Sequence, residues 1–115
     1  MTPKGAPRKI LVLGKPVQIN YISKLPLPDR TDAAIGQYQM RLNRIDVADL
    51  NHVSRRELAD SVLHEVLHAA IFEAGLPNDI LEDFDDHEQI VNRLTPILLD
   101  ILIRNPRLTA FLLAE

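Results

Sequence analysis

His64, Glu65 and His68 are the residues whose types and spacing could do chemistry together, for they read H-E-x-x-H. On a helix, positions i and i+4 stand one turn apart on the same face. His64 and His68 can therefore each offer an imidazole nitrogen to one ion. Zinc takes histidine nitrogen at about 2.0–2.1 Å and prefers four ligands in a tetrahedron. Glu65 lies about 100° round the helix from His64, beside such an ion rather than on it. A carboxylate there can accept a proton from a water that the metal has made acidic, then pass it to a leaving amine. The spacing thus points to metal-assisted hydrolysis of a peptide bond, with Glu65 as general base. A chain of this composition carries the pattern by chance in roughly one case in 150, so the surroundings must decide. The bland alternative has both histidines as solvated helix residues, paired with Glu57, Asp60 or Glu65.

A catalytic zinc site needs a third protein ligand beside its open position. The chain has no cysteine, so thiolates are excluded and histidine or carboxylate must serve. The H-E-x-x-H-x-x-G-x-x-H extension is absent, because Gly75 and the residues after it do not fit. His87 and Glu88 are the candidates. Helical periodicity sets His87 on the stripe of Ile90, Val91 and Leu94, with Glu88 at its edge. Periodicity alone mildly favours His87, and the choice stays open. Asp60, one turn before His64, could orient that imidazole, although an exposed carboxylate is the plainer reading. His52 reads as a loop residue. Tyr21 and Tyr38 read as sheet packing rather than as oxyanion donors.

These residues need elements to position them. Ser54 and Glu57 have the S-x-x-E spacing of a capping box, so a helix should begin near Arg55. Gly75 should end it, with Pro77 just beyond. Its apolar residues cover most of the circumference and leave a narrow polar sector of Glu57, Asp60, Ser61, His64 and His68. Such a helix belongs at the centre of a core. A second helix should start near Asp85 or Asp86, with Ile90, Val91, Leu94, Leu98 and Ile101 as its stripe. Pro96 should kink or divide it, and Arg104-Asn105-Pro106 should stop it. Residues 107–114 would then form a short terminal helix. Ahead of all this the pattern is β-like. Segments 9–13 and 17–22 read as strands joined by a turn at Gly14-Lys15-Pro16. Segment 25–30, with Pro26 and Pro28, reads as an extended loop. Segments 34–39 and 44–47 are two further short strands, with a turn near residues 41–43. Strands followed by helices give an α+β domain.

The run Leu63-His64-Glu65-Val66-Leu67-His68-Ala69-Ala70, followed by Glu88-Gln89-Ile90-Val91-Asn92-Arg93-Leu94, resembles the small metallopeptidases of phages and other mobile elements. These are gluzincin-type zincins, in which a glutamate on the next helix is the third ligand. The related family that cleaves phage and mobile-element repressors carries E-x-x-x-N on that helix, and Glu88 with Asn92 matches it. The resemblance implies that His64, His68 and Glu88 bind Zn2+, that Glu65 is catalytic, and that Asn92 holds the ligands from behind. It covers residues 54–106; the strands before it are similar only in layout. It implies a minimal zincin-like fold, a small sheet packed on the H-E-x-x-H helix. In such folds the substrate lies along an edge strand, here segment 44–47. His87 directly before Glu88 departs from the pattern and leaves the ligand choice open.

Length and composition set the outer bounds. The 115 residues suit one domain spanning 1–115, with residues 1–7 rich in Pro, Gly and Lys and expected to be flexible. The net charge of -3 argues against general nucleic-acid binding. Basic residues gather at the start (Lys4, Arg8, Lys9, Lys15, Lys24, Arg30) and acidic ones over 79–88; both read as solvated surface. No apolar run is long enough for a membrane span and no signal-peptide core is visible. The expected setting is the cytoplasm, that of a host cell if the chain is phage-encoded. The expected partner is a protein or peptide substrate, while oligomeric state and cleavage preference are not encoded legibly. Two rival classes stand beside the peptidase. One is a catalytically inactive zinc-binding interaction domain of phage origin, against which Glu65 argues, since metal binding alone needs no general base. The other is a helical DNA-binding protein with an accidental motif, against which the acidic charge argues.

Overall fold

The computed structural model describes residues 5–24, 27, 35–50, 54–75 and 84–114, the side chains of 84–86 excepted. His52, Pro26, Pro28, Pro77 and the acidic stretch 79–83 lie outside the described residues.

β1 (Lys9–Val12) and β2 (Lys15–Ile22) form an antiparallel hairpin with Val12 opposite Lys15. The two residues between them, Leu13 and Gly14, have φ of 50° and 82°. Two consecutive positive φ angles give the turn whose twist matches the strands it joins. The turn is tighter than the expected Gly14-Lys15-Pro16, and Lys15 and Pro16 already belong to β2. β3 (Gly36–Gln39) and β4 (Arg44–Ala48) form a second antiparallel hairpin around residues 40–43. β4 also pairs in parallel with β2, from Gln18 opposite Arg44 to Ile22 opposite Ala48. The sheet order is therefore β1-β2-β4-β3.

That order corrects one expectation. Segment 44–47 is not an edge. It lies between β2 and β3, so its main chain is used on both sides. The outer strands are β1 and β3. A parallel pair needs a long crossover, and no local pattern reveals which strands it will join.

The two faces of the sheet differ. Val17, Ile19, Tyr21, Ile45 and Val47 join Val12, Leu58 and Ala69 in the apolar core. On the opposite face Asp46 is buried, and it accepts hydrogen bonds from Asn20 (3.1 Å), Gln37 (3.2 Å) and Gln39 (2.9 Å). Arg44 pairs with it at 3.1 Å. Burying a carboxylate is costly unless donors such as these replace the water it has lost.

α1 (Arg55–Glu73) starts as the capping box requires, with the Ser54 hydroxyl accepting from the Glu57 amide at 3.1 Å. It ends at Ala74, with Gly75 at a φ of 75°. It is less enclosed than its composition suggests. Only Leu58, Glu65, His68 and Ala69 are buried, and Phe72 is exposed. One face rests on the sheet and another meets α2 (Phe84–Arg104), so the helix is not wrapped on all sides.

α2 runs through Pro96 as one helix, so of the expected kink or division the division does not occur. The carbonyl that Pro96 leaves without its helical donor belongs to Asn92, an exposed residue that water can serve. The neighbouring Thr95 hydroxyl is buried and donates to the Val91 carbonyl at 2.7 Å. α3 (Pro106–Leu113) follows, with proline in its first turn, where a missing N–H costs nothing. Much of the apolar surface of α2 and α3 is exposed, Leu94, Ile97, Phe111 and Leu113 among it. No helix among the described residues is long and apolar enough to cross a membrane. The architecture is a small α+β domain: among the described residues, a four-stranded mixed sheet with three helices.

Candidate metal centre

α1 and α2 meet where their polar residues face each other. His64 and His68, one turn apart on α1, bring their Nε2 atoms to 3.2 Å. Glu88, in the first turns of α2, straddles them. Its Oε1 stands 3.0 Å from Nε2 of His64 and its Oε2 stands 2.9 Å from Nε2 of His68. Ligand atoms of these three residues all lie within 4.8 Å of one another, the arrangement of a group that could hold a metal ion. In a tetrahedron with bonds of about 2.0–2.1 Å, neighbouring donors stand about 3.3–3.4 Å apart. The two Nε2 atoms, 3.2 Å apart, are close to that edge length, and each meets a different oxygen of Glu88. Two imidazoles and a carboxylate also form a donor set that borderline-soft divalent ions accept. The residues present fit such an ion.

His87 occupies a different place from Glu88. Its Nε2 lies 3.2 Å from Nδ1 of His68, the ring nitrogen that faces away from the cluster. The two rings meet edge to face, with centroids 4.6 Å apart. His68 can give Nε2 to an ion only if Nδ1 carries the proton. That Nδ1–H then has an acceptor in Nε2 of His87. With an ion on Nε2 of His68, His87 would sit behind that ring and fix its tautomer, a task usually done by a carboxylate or a carbonyl.

Glu65 lies beside the cluster and is buried. Its Oε2 is 3.8 Å from Nε2 of His64, beyond hydrogen-bond range but close enough to share a small molecule between them. Gly36, the first residue of β3, backs onto it. A Cβ placed there would stand 2.9 Å from Oε2 of Glu65. The cluster is open on one side, for the Glu88 side chain is 34% exposed whereas that of His68 is 10% exposed.

Burial sets the electrostatics. Desolvation pushes the His68 pKa down from 6.5 to about 4; the Glu88 carboxylate opposes this, and His64 and His87 add to it. Desolvation also lowers His87, again opposed by Glu88. The neutral imidazole is the form that binds a metal, and burial holds His68 in it.

Other residues proposed from the sequence take lesser places. Asp60 is half-buried, and among the described residues it makes no hydrogen bond or ion pair with His64. Asn92 is exposed on α2, and no hydrogen bond joins it to the cluster among the described residues. Tyr21 donates its hydroxyl to the Pro7 carbonyl at 2.7 Å. Tyr38 packs edge to face on Phe72, with ring centroids 6.2 Å apart. Gly36 does not stand out in the sequence. The only signal there is an isolated glycine inside a strand pattern, which marks either a bulge or a close approach.

Comparison with known proteins finds no family model, no curated protein and no solved structure that matches the chain.

Proposed function

We propose that this chain is a zinc-dependent peptidase of the zincin type, hydrolysing peptide bonds in a protein or peptide. One observation carries the reading. Two imidazole nitrogens and a carboxylate from separate helices converge within hydrogen-bond distance of one another, and a fourth group, the buried Glu65 carboxylate, stands beside them with its Oε2 3.8 Å from Nε2 of His64. Metal storage or structural binding would need the first three groups and not the fourth.

His64, His68 and Glu88 would hold the ion. When bound, the metal supplies a Lewis acid that polarises a carbonyl and makes a water acidic near neutral pH. Glu65 takes the proton from the attacking water at its carboxylate and returns it to the departing amine. Its burial keeps bulk water away and strengthens its charge interactions. His87 holds the ring of His68. Substrate docking falls to β3. Ala48 donates to the Ile35 carbonyl at 2.9 Å, so by antiparallel alternation Ile35, Gln37 and Gln39 face β4. The N–H and C=O groups of Gly36 and Tyr38 then point outward along the edge that no strand among the described residues covers, beside Glu65. An extended peptide can add there as a further strand.

The test compares wild type with Glu65→Gln for zinc content and for cleavage of unstructured peptides. Glu65→Gln should keep one zinc per chain and lose about 10²- to 10⁴-fold in rate. His64→Ala and Glu88→Ala should lose the metal itself. A wild type that binds zinc and cleaves nothing would replace the peptidase with the interaction-domain reading.

A further inference from the structure

We infer that Gly36 is a positioning residue: the side chain it lacks is the space in which the Glu65 carboxylate is seated. The catalytic consequence rests on the peptidase reading, whereas the seat itself is a matter of packing.

Three observations meet at this residue. First, its backbone does not require glycine. Gly5, Gly14 and Gly75 have positive φ, but Gly36 does not, and it pairs in ordinary register with Val47. Second, glycine is a poor residue for a strand, since it packs nothing and loses more chain entropy than alanine. Third, its face of β3 is turned to α1, and the clash from an added Cβ would fall on a single side chain. That Cβ would stand 2.9 Å from Oε2, 3.1 Å from Cγ and 3.3 Å from Cδ of Glu65. Because the conflict runs along the whole side chain, turning the carboxylate alone would not relieve it. Glu65 also has little room to retreat, because its side chain is only 7% exposed. Glycine is therefore unneeded by the backbone, unfavourable to the strand, and placed where any larger residue would push the carboxylate away from His64.

The reaction in question is sensitive to such a push. Displacing a reacting group by about 1 Å can cost about 10²-fold in rate. Gly36→Ala should accordingly lower kcat by about 10- to 100-fold, with KM and bound zinc little changed. On a Glu65→Gln background the same substitution should lower the rate no further.

A stability cycle tests the seat without any substrate. Four zinc-free proteins are melted: wild type, Gly36→Ala, Glu65→Ala and the double variant. Alanine in place of a strand glycine should by itself leave Tm unchanged or raise it. In the presence of Glu65 it should instead lower Tm by about 4 °C or more. On the Glu65→Ala background the penalty should vanish or change sign. Glu65→Asp, one methylene shorter, serves as a second background should Glu65→Ala fold poorly, and the penalty should shrink there too. An equal fall in Tm on every background would overturn the proposal, as would a rise in KM with kcat intact. If wild type proves inactive, the peptidase reading fails while the melting cycle still decides the role of Gly36.

Discussion

At the scale of single residues, the two nitrogens of His68 do different work. Nε2 faces His64 and Glu88, and Nδ1 faces His87. An imidazole cannot place both nitrogens on one ion, so the two neighbours on α2 cannot exchange roles without turning the ring. Glu88→Ala removes a donor outright. His87→Ala removes only the acceptor that fixes the ring and its tautomer. Losses from such outer partners are typically about 10- to 100-fold in metal affinity. A zinc titration against a chromophoric chelator should therefore rank wild type tightest, His87→Ala weaker by about that factor, and Glu88→Ala weakest, with one zinc per chain retained in His87→Ala. If His87→Ala lost the metal as completely as Glu88→Ala, the assignment of His87 behind His68 would be wrong.

At the scale of elements, α1 carries His64, Glu65 and His68, and Ser54 starts it. The Ser54 hydroxyl satisfies one amide of the first turn, about three turns from His64. Ser54→Ala should cost about 1 kcal/mol and lower Tm by roughly 4 °C, while zinc stoichiometry stays at one because the ligands lie beyond the first turn. An unchanged Tm would mean that the first turn frays without consequence for the fold. The capping box was legible in the sequence because it is local: four consecutive residues settle it. The same holds for the Leu13-Gly14 hairpin to within two residues, and for both helical partners of the cluster. The rest depended on distant pairing. Nothing local distinguishes β4 as an inner strand and β3 as the outer one, since the parallel contact between β2 and β4 joins segments 26 positions apart. The enclosure of α1 was overstated because apolar residues round a helix do not say how many neighbours will arrive to cover them. The choice between His87 and Glu88 turns on the rotation of α2 about its axis. Adjacent residues differ there by about 100°, so a modest rotation exchanges the side chain that faces α1. The apolar stripe mildly favoured His87, whereas it is Glu88 that lies with His64 and His68.

At the scale of the whole molecule, the cluster joins two helices through charges that folding has partly desolvated, and this couples stability to pH. In the metal-free protein His68 has its pKa lowered from 6.5 to about 4, chiefly by burial. The unfolded chain takes up that proton near pH 6.5, whereas the folded chain resists it until about pH 4. Between those values the unfolded state binds more protons, so stability rises with pH. The contribution is complete above pH 6.5 and is lost as pH falls toward 4. Each unit of such a shift is worth about 1.36 kcal/mol, so even part of it matters to a domain this small. His87, shifted the same way, steepens the dependence in the same direction. Bound zinc should oppose the loss, because an ion that binds only the folded state adds about 2.7 kcal/mol at a hundredfold excess over its Kd, until protons compete for the imidazoles. Urea unfolding of chelator-treated protein should therefore show a midpoint that falls steadily from about pH 7 to about pH 5, before most carboxylates titrate. His68→Gln should flatten that slope in the same window, and saturating zinc should raise the midpoint at neutral pH. A midpoint constant across that window in the metal-free protein would show that His68 is as accessible to protons folded as unfolded. The meeting of α1 and α2 would then be too loose to hold the cluster in the geometry on which the hydrolytic reading depends.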